Sequence, residues 1–218
     1  MYLKSSDQPI FDLGFGGHRC HWGTHICGLY GSEAERDQII FGFLGKGLLE
    51  EDLQFFCYDL EGRDRILKGL QPFSSKSLED SPDQLVLKPA KELYYPSGSF
   101  SPWEMDRGLS QFYEQSQAKG PRNIRASAEM SWALQAVPGV EDLMAYESRL
   151  NYFIPGKPWV SICLYDLTRF SGEVIMNVLR THPYSISGGL ITENPYYQEP
   201  DQWLAQHAPQ FLDSNAVL

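Results

Sequence analysis

The sequence has no long hydrophobic run, little cysteine and no surplus of positive charge, and each shortage excludes something. No stretch of the 218 residues approaches the roughly 20 consecutive apolar residues of a membrane-spanning helix, so no membrane partner is expected. The opening MYLKSSDQPIFDLG carries one early lysine but neither an apolar core nor a small-residue cleavage site, which argues for a soluble, cytoplasmic protein. Lys and Arg number 18 against 28 Asp and Glu, and the formal net charge of −10 repels a phosphate backbone, so direct nucleic-acid binding is not expected. Cysteine occurs only at Cys20, Cys27, Cys57 and Cys163, too scattered for a disulfide framework. The last three lie in apolar runs, where a reduced thiol behaves as a small hydrophobe. There is no internal repeat and no low-complexity tract.

What is present is an alternation of strand-like and helix-like segments. THICGLYG predicts a buried strand over 24–30, and SEAERDQIIFGFLGKGLLEEDL a helix capped at Ser32 and ended by Gly45 and Gly47. QFFCYDL reads as a strand, DRILKGL as a short helix and QLVLKPA as a brief strand. LYYPSGSFSPWEM is a turn-rich connection, followed by helical spacing over 103–118 that stops at Lys119-Gly120-Pro121. NIRASAEMSW is strand-like, VEDLMAYESRLNYFI an amphipathic helix, and WVSICLYDL the strongest strand. SGEVIMNVLRTHP is a helix, YSISGGLITENPYY a hairpin or edge strand, and a short helix is expected around Trp203. Repeated βαβ units imply an α/β fold whose mostly parallel sheet is flanked by helices. The length suits one domain over 1–218, with 1–22 as an N-terminal extension and 198–218 as a tail.

In such a sheet, ligands bind beyond the carboxyl ends of the strands. Tyr30, Glu129 and the pair Tyr165-Asp166 end strands and are expected at one rim, with Glu129 and Asp166 sharing a cavity or, alternatively, pairing with Arg125 or Arg169. The aromatics Tyr30, Tyr94, Tyr95, Phe100, Trp132, Tyr165 and Tyr196 line a pocket there or pack in the core. After the first strand, where a phosphate loop would read GxxxxGK[ST], the chain reads GSEAERDQI. Glu33, Glu35 and Asp37 would repel a triphosphate and no lysine stands at the required spacing, so the phosphate loop is degenerate and ATP is not an expected cofactor. His18, Cys20, His21, His25 and Cys27 offer imidazole and thiolate donors, either for a metal ion or as structural residues, although their spacing is not that of a zinc finger. His182, before a proline, is a helix cap or a site residue. No complete catalytic motif is present, so an enzyme is not expected.

Several separated segments, THICGLYGSEAER, YYPSGSFSPWEM, IRASAEMSWAL, AYESRLN, ICLYDLTRF and LRTHP, together resemble the MEDS family of methanogen and methylotroph, DcmR-like sensory domains. They occur in the family's order between Gly23 and Tyr197. The resemblance implies a KaiC-like RecA fold without the phosphate loop. It also implies a sensory module for a simple organic or hydrocarbon-derived molecule, coupled to a kinase, a transcription regulator or an anti-sigma system. No output domain is recognised in this chain, so the signal would pass to a separate partner. The matching positions are His25, Cys27, Glu129, Trp132, Glu147, Cys163, Asp166 and His182, and the expected ligand set is Tyr30, His25, Cys27, Glu129, Trp132, Tyr165, Asp166 and His182. A RecA-like interaction scaffold, or a metal protein using residues 18–27, is the alternative.

Overall fold

The computed structural model describes residues 10–60, 62–79, 81, 83–118 and 120–212. The first nine residues, the end of the expected tail and Lys119 of the expected helix stop lie outside the described residues. The chain begins with an antiparallel pair, β1 (Ile10–Asp12) and β2 (Arg19–His21). It continues through β3 (Thr24–Tyr30), α1 (Glu33–Leu49), β4 (Leu53–Tyr58), α2 (Arg63–Leu70), β5 (Leu85–Pro89), α3 (Ala90–Tyr94) and α4 (Pro102–Gln117). Then come β6 (Ile124–Glu129), α5 (Leu143–Phe153), β7 (Trp159–Asp166), α6 (Gly172–Thr181), the hairpin β8 (Tyr184–Ser187) and β9 (Leu190–Glu193), and α7 (Pro200–His207).

Seven strands form one sheet in the order β5-β4-β6-β7-β3-β8-β9, parallel throughout except where β9 turns back on β8. β7 shows why the central strands read as unbroken apolar runs: every residue from Trp159 to Tyr165 is buried, because helices cover both faces. Its side chains alternate between two cores. Val160, Ile162 and Leu164 join Ile26, Ile39 and Phe43 beneath α1, whereas Trp159, Cys163 and Tyr165 join Tyr146, Leu150 and Phe153 of α5. Among the described residues, no helix is long and apolar enough to cross a membrane.

One expectation needs correction. The first helix does not end at Gly45 or Gly47 but runs on to Leu49. Both glycines are there for close approach: a Cβ on Gly45 would stand 2.6 Å from the Phe73 ring, and one on Gly47 would stand 2.2 Å from Gln54 and 2.5 Å from Arg125. The N-terminal extension also holds β1 and β2, whose three-residue strands are too short to show a period.

The turn-rich connection between α3 and α4 is fastened to the loop before α5. Phe100 N–H donates to Pro138 O at 2.8 Å. Gly139 follows at φ +87°, and any Cβ there would lie 2.2 Å from Phe100 O.

Candidate functional site

The carboxyl-end rim is a polar cleft lined by Tyr30, Ser32, Arg36, Leu60, Asp166 and Arg169. The geometry of the β3–α1 turn explains its character. Ser32 caps α1 by accepting from Glu35 N at 3.3 Å, and Glu35 Oε2 accepts from Gly31 N at 2.6 Å. A side-chain carboxylate of this chain therefore takes a backbone amide of the kind that a phosphate loop offers to its nucleotide.

Tyr30 and Asp166 both line this cleft, but Glu129 does not. Glu129 is fully buried behind it, where Oε2 accepts from Asp59 N at 2.7 Å and Leu60 N at 2.9 Å, and Oε1 lies 3.6 Å from Arg36. Arg36 thus takes the place expected of Arg125 or Arg169. Arg125 instead donates to Asp52 at 2.7 Å and Glu50 at 2.6 Å. Asp166 accepts from Thr168 N at 2.8 Å and Thr168 Oγ1 at 2.6 Å. Burial raises the Tyr30 hydroxyl above its usual range, the charges of Asp166 and Glu129 add to this, and Arg36 and Arg169 oppose it.

Most of the expected pocket aromatics pack in the interior. Trp132 is fully buried and stacks on Tyr94 at 4.5 Å between ring centres, with Phe100 5.2 Å away. Tyr196 is exposed.

The metal donors expected over residues 18–27 do not come together. Among the described residues, no group of three or more potential ligands forms there. His18 Nε2 faces Gly189 O at 3.0 Å, and Cys27 Sγ donates weakly to Tyr184 O at 3.6 Å. Cys20 is buried in the core beneath α1, and His21 belongs to the same short strand. The β1–β2 pair holds this stretch outside the main sheet, away from His25.

His25 instead belongs to a different cluster, with Glu147, Cys163 and His182. All four are buried and their ligand atoms lie within 4.8 Å of one another. Each comes from a different element. His25 projects from β3 toward α5, Cys163 projects the same way from the neighbouring β7, Glu147 faces them from α5, and His182 caps α6. Glu147 Oε2 is the hub: His25 Nε2 stands 3.2 Å from it, His182 Nε2 3.3 Å and Cys163 Sγ 3.4 Å. Tyr165 donates to the other oxygen, Oε1, at 2.7 Å. Burial depresses His25 to about 4, the neighbouring His182 adds to this, and Glu147 opposes it, so His25 is neutral at neutral pH. Burial alone would raise Glu147, but His182 and then His25 outweigh it and keep the carboxyl ionised. Cys163 is pushed well up, by burial first and by the Glu147 charge second.

Cys163 also lines an apolar cavity of about 290 Å³ between the sheet and α4–α5. Phe55, Met105, Leu109, Phe112, Leu150 and Trp159 form much of its wall. Its lining extends outward to the exposed Lys88, Glu92 and Glu104. The expected rim pocket is thus accompanied by a second, drier chamber under the sheet. Sequence reasoning missed it because its wall is assembled from four strands and three helices, none of which has an unusual composition.

The sequence profile of the MEDS family (methanogen/methylotroph, DcmR sensory domain) matches residues 24–183. The chain belongs to the MEDS family. A transcriptional repressor, DcmR of Methylorubrum extorquens, is 27% identical over 162 residues, covering 72% of this chain and 57% of its own length. The chain therefore spans little more than half of that relative. Two solved structures share the fold. A KaiC-like protein from the hyperthermophilic archaeon Pyrococcus horikoshii has a TM-score of 0.53 at 15% identity, covering 83% of this chain and 77% of its own. The flagellar accessory protein FlaH from Methanocaldococcus jannaschii has a TM-score of 0.51 at 16% identity, covering 86% and 87%. The RecA/KaiC-like architecture and the sensory family thus agree with the resemblance carried by the sequence segments.

Proposed function

We propose that this MEDS chain detects a small, largely apolar organic molecule in the cavity under the sheet and passes its occupancy to a regulatory partner. The observation that carries this reading is the cavity itself. Its volume of about 290 Å³ lies at the small end of ligand pockets. Its wall is mostly hydrocarbon and aromatic, with a few polar groups such as Ser127, Ser161 and Cys163 among them. Such a chamber favours a compact molecule with one polar atom, a simple hydrocarbon derivative. Membership of a sensory family and likeness to a transcriptional repressor support the regulatory role. The output would lie in a kinase, a transcription regulator or an anti-sigma system.

Binding without turnover is favoured by two features. The Glu35 carboxylate in the β3–α1 turn, with Glu33 and Asp37 beside it, opposes a nucleotide triphosphate at the rim. The one thiol at the cavity is held protonated by burial, which suppresses it as a nucleophile.

Thermal-shift screening of the purified chain against small alkanols, ketones and aromatics tests the reading. At a hundredfold excess over Kd, a true ligand stabilises by about 2.7 kcal/mol, or about 5–10 °C in a chain of this size. Gly108 lines the cavity and a Cβ there meets no heavy atom within 4 Å, so Gly108→Leu adds bulk at the cavity wall without a clash at its first carbon. This variant should fold and lose the shift. A ligand that stabilises wild type and Gly108→Leu equally would place binding elsewhere, and a screen with no stabilising compound would remove the proposal.

A further inference from the structure

Cys163, which lines that cavity, belongs to a buried cluster whose hydrogen bonds the protein's own groups do not complete. His182 Nδ1 faces Val178 O at 2.8 Å, and because a carbonyl only accepts, the ring proton sits on Nδ1. His25 is constrained in the same way. Asn151 Nδ2 donates to the carbonyls of Glu147, Ser148 and Thr181 at 3.2, 3.1 and 2.8 Å, which fixes the amide and turns Oδ1 toward His25 Nδ1 at 3.2 Å. With Nδ1 of each ring engaged, both Nε2 atoms turn to the same carboxylate oxygen, Glu147 Oε2, at 3.2 and 3.3 Å. The buried His182 Nε2 has no hydrogen-bond partner. Two ring nitrogens converging on one anionic oxygen inside a protein call for a positive centre between them, a proton or a metal ion.

We infer that His25, Glu147, Cys163 and His182 are the ligands of one divalent transition-metal ion of the zinc class. The inference goes beyond the sensory reading and stands whether or not an organic molecule enters the cavity. Tetrahedral zinc with bonds of about 2.0 Å to nitrogen or oxygen and 2.3 Å to sulfur has N···O edges of about 3.3 Å and S···N or S···O edges of about 3.5 Å. Four of the six edges here are 3.2 and 3.3 Å from the two histidines to Glu147, 3.5 Å from Cys163 to His25 and 3.4 Å from Cys163 to Glu147, and the two from His182 to His25 and Cys163 lie within 4.8 Å. Supporting contacts of the kind that orient metal ligands are already in place: Asn151 behind His25, Val178 O behind His182, and Tyr165 on the distal oxygen of Glu147. On binding, the Cys163 S–H bond breaks, the sulfur electron pair goes to the ion and the proton leaves to water. One thiolate and one carboxylate then balance the divalent charge, so the loaded site is neutral and suited to burial. Two imidazoles, a thiolate and a carboxylate form a borderline donor set that selects against calcium and magnesium. The cavity supplies the route inward, from the exposed Glu92 and Glu104 to Cys163.

The test uses the full chain, first stripped with chelator and then titrated with Zn²⁺ and Co²⁺. The expected result is one ion per chain, a raised Tm with zinc, and with cobalt the intense visible bands of a tetrahedral centre plus a thiolate charge-transfer band. Cys163→Ser should lose the charge-transfer band, whereas Cys20→Ser should keep it. Asn151→Ala, which releases His25 together with three backbone carbonyls, should weaken affinity roughly 10–100-fold. Absence of stoichiometric binding by folded wild type would overturn the inference even if every variant misfolds. Persistence of the charge-transfer band in Cys163→Ser, or its loss in Cys20→Ser, would overturn the assigned ligands.

Discussion

Glu35 closes back on Gly31 through a 2.6 Å hydrogen bond from the Gly31 amide to the carboxylate. The turn at which a phosphate loop would stand is therefore occupied from within. Millimolar Mg-ATP should leave the Tm of the wild-type chain unchanged, and Glu35→Ala should cost about 0.5–1.5 kcal/mol in urea unfolding through the lost hydrogen bond. A rise of several degrees with nucleotide would contradict this account of the turn.

Two residues along the same helix, Asp37 gives the protein a dependence on acid. Burial would raise its carboxyl, but Arg65 at 2.7 Å and Arg36 at 3.1 Å outweigh that and hold it below the ordinary 3.8. A native acid weaker in its hold on the proton than the unfolded one stabilises the fold fully above pH 3.8, and that contribution is lost as pH falls through the native value. Urea midpoints of Asp37→Asn should therefore fall less steeply in acid than those of wild type. Parallel profiles for the two proteins would show that the pairing contributes nothing.

Gly45 and Gly47 lie inside α1, where alanine is intrinsically favoured over glycine by about 1 kcal/mol. The contacts reverse that preference, because the new methyl would meet the Phe73 ring at 2.6 Å or Gln54 and Arg125 at 2.2 and 2.5 Å. Either substitution should destabilise by about 1–3 kcal/mol, as overpacking does. A gain in Tm for Gly47→Ala would show that Gln54 moves aside at little cost.

Tyr165→Phe removes the donor to Glu147 Oε1 and leaves a buried carboxylate oxygen without it. The expected loss is about 1–3 kcal/mol, measured on metal-free protein by chemical unfolding. An unchanged midpoint would mean that water or a shifted side chain replaces the hydroxyl.

The legible parts of the fold were those where one local pattern suffices. β3, β4, β6 and β7 are apolar runs closed by turn residues, and parallel pairing under helices on both faces makes them so. Gly45 and Gly47 misled because the same residue type serves helix ends and tight crossings, and only the position of Phe73 or Arg125 distinguishes the two. The candidate site was legible in pieces. His25, His182 and Tyr165 stood in the expected ligand set, and Glu147 and Cys163 entered through the family's motif positions. Their convergence was not legible, since it depends on the register that sets β3 beside β7 and on which face α5 presents. Cys27 lies two residues from His25 on the same side of β3, yet it reaches the carbonyl of Tyr184 and not Glu147. Spacing along a strand identifies a face and leaves open which neighbour is within reach.

The contact between Gly139 and Phe100 has a mechanical consequence. A hydrogen atom is all the clearance this crossing allows, and it ties the lead-in of α4, which walls the apolar chamber, to the lead-in of α5, which carries Glu147. The two helices are buckled together at one end, like the blades of shears at their rivet. The start of α4 and the start of α5 therefore keep their spacing at this crossing, and Glu147 sits on the helix so anchored.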